Sequence, residues 1–310
     1  MSRREKVKKC FDNMEQIGLH NEHYTKYIED TFQRSLDHDI QQGDISQVPE
    51  ELYKKTTSAD IIARSRGIVA GLDEILYILQ SKGLEVETGN RDGERIDIHE
   101  ILLTVSGQTG QILKLERTIL NFIQRLCGIA TRTKKYADKI KHTETFVIGT
   151  RKTMWGLWDK RAVQCGGGLT HRLGLYDAAM LKENHLKILK QKNGYQAIRN
   201  SIQSIIDKKN PRFVEVEVTD LQEFKNIAEI LVSINSNIPK VIMLDHFSPV
   251  KIKTALAMAQ DKNFYDKIFF EASGNINIDT IADYAETGVD VISSGALTHS
   301  VKSLDLSMLF

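Results

Sequence analysis

The chain has 310 residues, with 42 Lys and Arg against 41 Asp and Glu, so its net charge is +1. Surface binding of nucleic acid usually needs a broad excess of positive charge, so this balance argues against a nucleic-acid partner. Hydrophobic residues make up 41% and charged residues 27% of the chain, which is typical of a globular protein. The length suffices for about two domains.

Cysteine usage and hydropathy bear on where the protein works. The three cysteines, Cys10, Cys127 and Cys165, show no CxxC spacing, and an odd number without paired spacing favours a reducing compartment. The basic N-terminal residues are not followed by an apolar stretch. No run reaches the roughly 18 apolar residues that a membrane span requires. We therefore expect a cytoplasmic protein with no membrane partner.

Helical signals dominate the first half of the chain. A helix is predicted over about 21–35, and apolar residues at helical spacing predict another over about 71–82. Short strands follow, and the glycine-containing segment 107–110 is predicted to be a loop. After it, apolar residues at positions i, i+4, i+7, i+8 and i+11 predict a helix that includes 115–126.

The second half alternates short apolar, β-branched runs with helical stretches. The runs are 145–149 (TFVIG), 178–182 (AAMLK), 213–218 (FVEVEV), 240–245 (KVIMLD), 267–273 (KIFFEAS) and 290–295 (DVISSG). Their ends lie about 22 to 36 residues apart, which is the spacing of βα units. Buried parallel strands have this appearance, so the pattern predicts an α/β fold. A β/α barrel is the favoured closure, and a doubly wound open sheet is the alternative.

Residues that bind anions or take part in catalysis occur at the ends of these runs. They are Arg151 and Lys152, Lys182, Glu215 and Glu217, Asp245, Ser273 with Gly274, and Ser294 with Gly295. Any single residue of this set could be polar simply because the loops that follow strands are polar. Because the carboxyl ends of barrel strands meet at one mouth, the whole series predicts a common site.

Positive side chains are concentrated between 151 and 185. Arginine suits two-pronged recognition of carboxylate or phosphate, and His171-Arg172 lie between three glycines and an apolar segment. A solvated basic face is the expectation for Lys160 and Arg161. The chain therefore has candidates for an anion pocket despite its balanced charge.

Glu217 and Asp245 form a candidate site for a divalent cation, since Mg²⁺ takes one or two carboxylates together with substrate phosphate oxygens. Zinc is not indicated, because the chain has no HExxH motif and no His/Cys cluster at ligand spacing. A P-loop is also absent. Cys127 and Cys165 are expected to be small buried residues.

Several long segments resemble the quinolinate phosphoribosyltransferase family, also called carboxylating nicotinate-nucleotide pyrophosphorylases. The similarity runs from about 44 to 306. The segments are 63–72 (ARSRGIVAGL), 115–131 (LERTILNFIQRLCGIAT), 150–153 (TRKT), 165–185 (CGGGLTHRLGLYDAAMLKENH), 214–218 (VEVEV), 243–245 (MLD), 271–276 (EASGNI) and 284–300 (YAETGVDVISSGALTHS).

The resemblance implies two domains. One is an N-terminal α/β sandwich over 1–118, with 302–310 as a candidate addition to it. The other, over 119–301, is an incomplete β/α barrel that carries the phosphoribosyltransferase site. The resemblance also implies a homodimer, or a larger assembly of dimers, in which one subunit helps to close its neighbour's site.

The resemblance also implies roles for individual residues. Arg117 would reach the quinolinate site from the partner subunit. The substrate carboxylates would be held by Arg151, Lys152, His171 and Arg172. PRPP (5-phosphoribosyl 1-pyrophosphate) and its Mg²⁺ would be served by Lys182, Glu217 and Asp245, of which the two carboxylates would bind the metal. The catalytic set would be Lys152, Lys182, Glu217 and Asp245. Around the phosphate would lie Ser273, Gly274, Gly295 and His299.

By the same resemblance the products are nicotinate mononucleotide, pyrophosphate and CO₂. Departures from the family pattern are Gly149, Met154, Trp155, Thr170, His246 and a shorter loop over 153–165. They leave two alternatives open: a relative acting on a different aromatic acid, and a non-catalytic protein that binds quinolinate or a nucleotide. The tryptophans Trp155 and Trp158 would either stack on a substrate ring or pack a domain or dimer interface.

Overall fold

The structure is a computed structural model that describes residues 1–46 and 49–310. The chain forms two compact units. The barrel unit consists of Met1–Asn13, Lys135–Lys152 and Leu169–Ala296, and the sheet unit consists of Met14–Lys134, Thr153–Gly168 and Leu297–Phe310. These limits differ from the predicted division at 118/119, because the chain passes between the units several times.

The elements follow one another along the chain with short connections. They are α1 (Arg3–Phe11), α2 (Glu22–Ile40), α3 (Glu50–Lys54), β1 (Thr56–Ala63), β2 (Gly67–Ile68), α4 (Leu72–Ser81), β3 (Glu85–Glu87), β4 (Arg95–Ile96), β5 (Ile101–Gln108), α5 (Thr109–Lys139), β6 (Phe146–Ile148), α6 (Leu157–Cys165), β7 (Ala179–Leu181), α7 (Glu183–Lys209), β8 (Val214–Val218), α8 (Leu221–Ser233), β9 (Lys240–Asp245), α9 (Pro249–Asp261), β10 (Phe269–Ser273), α10 (Ile281–Ala285), β11 (Val291–Ser293), α11 (Ala296–His299) and β12 (Leu306–Leu309).

The sheet unit contains an antiparallel sheet in the order β12-β1-β5-β3. The C-terminal strand belongs here because it pairs with β1, for example Ile61 with Met308. The helices predicted over 21–35 and 71–82 are present as α2 and α4. Their buried residues recur at helical spacing, as the sequence indicates.

The prediction of a loop at 107–110 is wrong. Strand β5 runs to Gln108 and α5 starts at once with Thr109, whose amide donates to the carbonyl of Lys55 at 2.9 Å. Gly110 permits close packing, since a Cβ there would lie 2.2 Å from the ring of Tyr53. This glycine therefore makes room for a neighbour and does not form a turn.

The barrel unit contains a parallel sheet in the order β6-β11-β10-β9-β8-β7, and all six predicted runs form its strands. From β7 to β11 each strand lies beside the next one in sequence, and β6 lies beside β11. A doubly wound sheet would reverse direction at an inner strand, whereas this order winds in one direction as in a barrel. Within the described residues β6 and β7 do not pair, so the fold is an incomplete β/α barrel.

The gap beside β6 is occupied by the segment that precedes β7. The amide of Gly149 donates to the carbonyl of Leu169 at 3.0 Å, and the amide of Leu169 donates to the carbonyl of Val147 at 2.9 Å. Leu169 thereby continues the parallel pairing for one bridge. This placement puts the following residues, His171 and Arg172, in the opening of the barrel wall.

Helix α1 belongs to the barrel unit. Its residues Val7, Cys10 and Phe11 are buried in a core cluster with Phe213 of the segment entering β8. Arg3 forms a two-pronged ion pair with Asp290, both contacts being 2.7 Å. The first helix therefore packs beneath the barrel strands at their amino ends, and this part of the N-terminal segment helps to form the core of the barrel unit. None of the described helices has the length and apolar character that a membrane span needs.

Candidate active site

Four charged side chains meet at the carboxyl ends of the barrel strands. Lys182 directly follows β7, and its Nζ donates to Oε2 of Glu217 on β8 at 2.8 Å. At the end of β9, partial burial and the charge of Glu217 raise the pKa of Asp245, while the cations around it, Lys152 among them, lower it. Lys182 and Glu217 are thus in direct contact, and Asp245 interacts electrostatically with both of them and with Lys152; the catalytic roles of the four residues stay predictions.

The expected phosphate residues follow the neighbouring strands. Ser273 is in register with Asp245, and its carbonyl accepts from the amide of His246 at 2.9 Å. Gly274 has a φ of +101°, and a Cβ there would lie 2.7 Å from Cγ of His246. Only glycine fits this position without displacing the histidine. Gly295 lies at the corresponding end of β11, before α11.

Arg172 is the buried cation of the site. Arg172 as a whole is only 7% exposed to solvent. Its guanidinium donates to the carbonyl of Ala178 at 3.4 Å and to Sδ of Met180 at 3.3 Å. Among the described residues no carboxylate is hydrogen-bonded to it. Burial, followed by the charge of Arg151, lowers the pKa of Arg172. A buried guanidinium without a paired anion is unfavourable, so its surroundings are suited to receive one.

His171 points into the barrel interior. Its Nε2 lies 3.0 Å from Oε2 of Glu271 and 3.1 Å from Oε2 of Glu215, and both carboxylates are fully buried. Its Nδ1 accepts from the amide of Arg172 at 2.7 Å. The ring therefore has no free nitrogen for a substrate carboxylate, which differs from the direct role that the resemblance implies for His171.

The protonation of this cluster follows from its contacts. Burial opposes charge on His171, but Glu215 and Glu271 raise its pKa to about 9. A pKa of about 9 would make the ring charged at neutral pH, but a charged ring carries a hydrogen on Nδ1. The amide hydrogen of Arg172, whose nitrogen lies 2.7 Å from Nδ1, leaves no room for that hydrogen, so the geometry requires one proton on the ring, on Nε2. Burial, and then Glu271, raise the pKa of Glu215 to about 7. For Glu271 the interaction with His171 outweighs burial and lowers the pKa.

The backbone at His171 is held in an uncommon conformation. Its φ is +55°, in the left-handed region. The amide of His171 donates to the carbonyl of Phe11 at 2.9 Å, and the side-chain amide of Asn13 donates to the carbonyl of His171 at 2.7 Å. Thr170, one of the departures from the family pattern, is buried and donates to the carbonyl of Phe11 at 3.0 Å. The N-terminal segment therefore fixes the strand-gap residues from below.

Comparison with known proteins settles the relationship. The N-terminal family model, "Quinolinate phosphoribosyl transferase, N-terminal domain", matches residues 39–127, and the corresponding C-terminal domain model matches residues 129–309. The chain belongs to the quinolinate phosphoribosyltransferase family.

Curated relatives and solved structures agree with this assignment. The chain is 38% identical over 286 residues to a probable carboxylating nicotinate-nucleotide pyrophosphorylase of Methanocaldococcus jannaschii, covering 89% of this chain and 94% of that protein. It is 31% identical to the protein with the same description from Archaeoglobus fulgidus, covering 86% and 97%. The structure of the nicotinate-nucleotide pyrophosphorylase from Francisella tularensis matches with a TM-score of 0.76 at 34% identity, covering 92% and 96%.

Two residues that the family resemblance assigned to the site lie in the sheet unit. Arg117 is exposed on α5 and makes no hydrogen bond or ion pair with any residue that the structure describes. His299 is also exposed, with Nδ1 2.6 Å from Oγ of Ser300. Their roles at the substrate stay predictions.

The loop after Lys152 is organised by a carboxylate that the sequence analysis missed. Asp159 is fully buried and accepts from Nη2 of Arg125 at 2.8 Å and from the amide of Met154 at 3.2 Å. Trp155 stacks on Phe122 with ring centroids 4.1 Å apart. In the described residues Trp155 therefore packs on α5, and Trp158, which is fully buried, packs on the same ring.

The expectation of a solvated basic face at Lys160 and Arg161 is wrong. Lys160 is only 1% exposed. Arg161 contacts three carboxylates of the sheet unit, at 3.2 to 3.3 Å, namely Asp73, Glu74 and Asp92. Burial, followed by Glu74, raises the pKa of Asp92 to about 6. Arg161 therefore balances the negative charge of carboxylates that are partly or fully buried. The number of charged residues in this part of the sequence does not reveal that role.

We predict that Arg161→Ala lowers the free energy of unfolding by about 3 kcal/mol or more, because Glu74 is left buried without its cation. The matched control is Arg66→Ala, which removes an exposed pair with Asp97 and should change it by less than about 1 kcal/mol. Chemical denaturation of both variants measures the difference. Equal effects would contradict the structural role of Arg161.

Proposed function

We propose that this chain transfers the phosphoribosyl group of PRPP to quinolinate, with release of pyrophosphate and CO₂, and so forms nicotinate mononucleotide. The names of its relatives support this reaction. The observation that carries it is the buried guanidinium of Arg172, which lacks a carboxylate partner among the described residues and interacts with Arg151. Both arginines lie in the unit that holds the Lys182–Glu217 pair.

Two neighbouring arginines suit an acid with two carboxylates. Arginine binds carboxylate in a two-pronged manner, and each guanidinium here is available for one carboxylate of quinolinate. The repulsion between Arg151 and Arg172 is relieved most fully by a dianion. A monoacid such as nicotinate would leave one of the two charges without a partner, which favours quinolinate as the substrate.

The cluster at the strand ends suits PRPP. Lys152 and Lys182 supply positive charge for the pyrophosphate. Glu217 and Asp245 have side chains that are 12% and 24% exposed, so their oxygens are accessible, and they interact with each other. This donor set fits Mg²⁺, which prefers carboxylate and phosphate oxygens. When bound there, Mg²⁺ would neutralise charge on the pyrophosphate.

The chemistry needs orientation and charge rather than a protein nucleophile. The ring nitrogen attacks the anomeric carbon, and the bond from that carbon to the pyrophosphate oxygen breaks with its electron pair remaining on pyrophosphate. Positive charge develops on the sugar, and the carboxylates of Glu217 and Asp245 stabilise it electrostatically. Lys182 donates toward the same region. The bond to the adjacent carboxylate then breaks with release of CO₂, and its electron pair stays on the ring carbon, where the neighbouring positively charged nitrogen stabilises it. A proton from solvent binds to that carbon and gives nicotinate mononucleotide.

A dimer with shared sites is part of this proposal. Arg117 is the support within the chain, because it is exposed on α5 and has no partner among the residues described. An arginine of this kind is suited to reach the substrate acid of a neighbouring subunit. Most soluble oligomers are symmetric homodimers, in which the same contact would be made twice.

The reaction is tested with purified protein, PRPP, Mg²⁺ and either quinolinate or nicotinate. We expect nicotinate mononucleotide and CO₂ from quinolinate only. Arg172→Ala should lower kcat/KM for quinolinate by more than roughly 10²-fold, since it removes a carboxylate contact kept in the transition state. Lys253→Ala changes an exposed lysine of α9 and is the control that should retain activity. Near-normal kinetics of Arg172→Ala, or product from nicotinate alone, would refute the assignment.

The shared site is tested by mixing two inactive variants, Arg117→Ala and Lys182→Ala. In a mixed dimer one site has both residues intact, so random exchange of subunits should restore about a quarter of the wild-type activity. Each variant mixed with itself is the control. Verified mixed dimers without any recovered activity would show that Arg117 acts within its own subunit, and an Arg117→Ala variant that is active by itself would show that Arg117 has no role at the site.

A further inference from the structure

Two glutamates in the barrel interior have oxygens that the described residues leave unsatisfied. Glu215 on β8 and Glu271 on β10 are fully buried. With both carboxyl groups charged, neither oxygen of Glu215 receives a hydrogen bond from the described residues, and Oε1 of Glu271 receives none; a proton on Glu215 that is shared with Glu271 is the hydrogen bond available within the cluster. The single proton on Nε2 of His171 is directed at Glu271, so Glu215 is near the ring at 3.1 Å without a bond of its own. Buried acceptors of this kind are rare and require an explanation.

Both carboxyl groups act on Arg172, one through charge alone and the other also through a hydrogen-bonded connection. The charges of Glu215 and Glu271 both favour the charged form of Arg172 and oppose its desolvation. Glu271 is also joined to the backbone of Arg172 through His171. Glu271 accepts from Nε2 at 3.0 Å, and Nδ1 on the other side of the ring accepts from the amide of Arg172 at 2.7 Å.

A second arginine in the same chain shows the contrasting arrangement. Arg125 forms a two-pronged pair with Asp159, at 3.1 Å through Nε and 2.8 Å through Nη2. That guanidinium is fully engaged by its own carboxylate and serves the structure of the loop. Glu215 and Glu271 interact with the charge of Arg172, but no described carboxylate is hydrogen-bonded to its N–H groups, so they remain able to bind an incoming anion.

We propose that Glu215 and Glu271 are positioning residues for Arg172, which balance its buried charge from a distance and leave its N–H groups for a carboxylate of the substrate. This inference rests on the proposed function for the identity of that substrate. His171 is the link that fixes the backbone of Arg172, and a role through Arg172 replaces direct contact with the acid.

A divalent metal is the other occupant that this cluster could accept. The ligand atoms of His171, Glu215 and Glu271 lie within 4.8 Å of one another. A metal would need the lone pair of Nε2, yet the amide of Arg172 donates to Nδ1, which places the proton on Nε2. The nearby guanidinium also repels a cation. The contacts therefore favour the positioning role, and metal content becomes an outcome of the test.

The kinetic test uses Glu271→Gln, which keeps the shape and removes the charge. We expect KM for quinolinate to rise about tenfold, while KM for PRPP changes by less than about twofold. The reason is that the change alters only the position of the Arg172 guanidinium, which binds a carboxylate of quinolinate and not PRPP. The matched control is Asp290→Asn, a buried carboxylate of the same unit that pairs with Arg3. It should leave both KM values unchanged. Unchanged KM for quinolinate in Glu271→Gln, or an equal rise for PRPP, would overturn the proposal.

A thermal unfolding cycle tests the coupling without any substrate. Glu271→Gln should lower Tm by on the order of 5 °C in the wild type and by clearly less in the Arg172→Met background, where no guanidinium needs balancing. Equal losses in both backgrounds would overturn the proposal, as would about one divalent metal per chain that disappears in Glu271→Gln. If Glu271→Gln does not fold, Glu215→Gln takes its place. Coupling seen here in a protein that does not turn over quinolinate would refute the proposed function and leave the positioning role intact.

Discussion

The buried charge of Arg172 is the constraint on which the site depends. A guanidinium removed from water loses several kcal/mol of solvation, and the described residues give it only a carbonyl and a thioether as hydrogen-bond acceptors. Glu215 and Glu271 supply compensating charge from the barrel interior. Such an arrangement is stable enough to fold and still leaves N–H groups of the guanidinium for an anion, which in the proposed function is a carboxylate of the substrate.

The barrel architecture explains how two layers of charge are kept apart. Residues two apart on a strand point to the same face and, in a barrel, occupy successive layers along the strand. Glu215 is therefore buried in an inner layer, while Glu217, two residues later, reaches Lys182 at the strand end. The inner layer fixes His171 and Arg172. The outer layer, with Glu217 and Asp245, remains accessible and suits the charged half of the second substrate.

Sequence patterns predicted the strands well because their burial is local information. All six β-branched runs became barrel strands, and the charged residues at their ends came together as the topology requires. The direction of His171 was not predictable in this way. Its ring turns inward because of a positive φ and because of carboxylates about 45 and 100 residues away in the chain, a non-local arrangement that spacing alone does not encode. A glutamate inside an otherwise apolar strand was the available signal, since such a residue needs a buried partner. Arg161 was misjudged for the same reason, because its three carboxylates come from 73, 74 and 92.

The guanidinium of Arg172 should bind a carboxylate of the acid substrate. Calorimetric titration of the wild type and of Arg172→Lys with quinolinate and with nicotinate measures this contact directly. We expect the wild type to bind quinolinate at least about tenfold more tightly than nicotinate, and Arg172→Lys to lose most of this preference because lysine lacks the two-pronged contact. Equal binding of the two acids by the wild type, or an undiminished preference in Arg172→Lys, would contradict this role of Arg172.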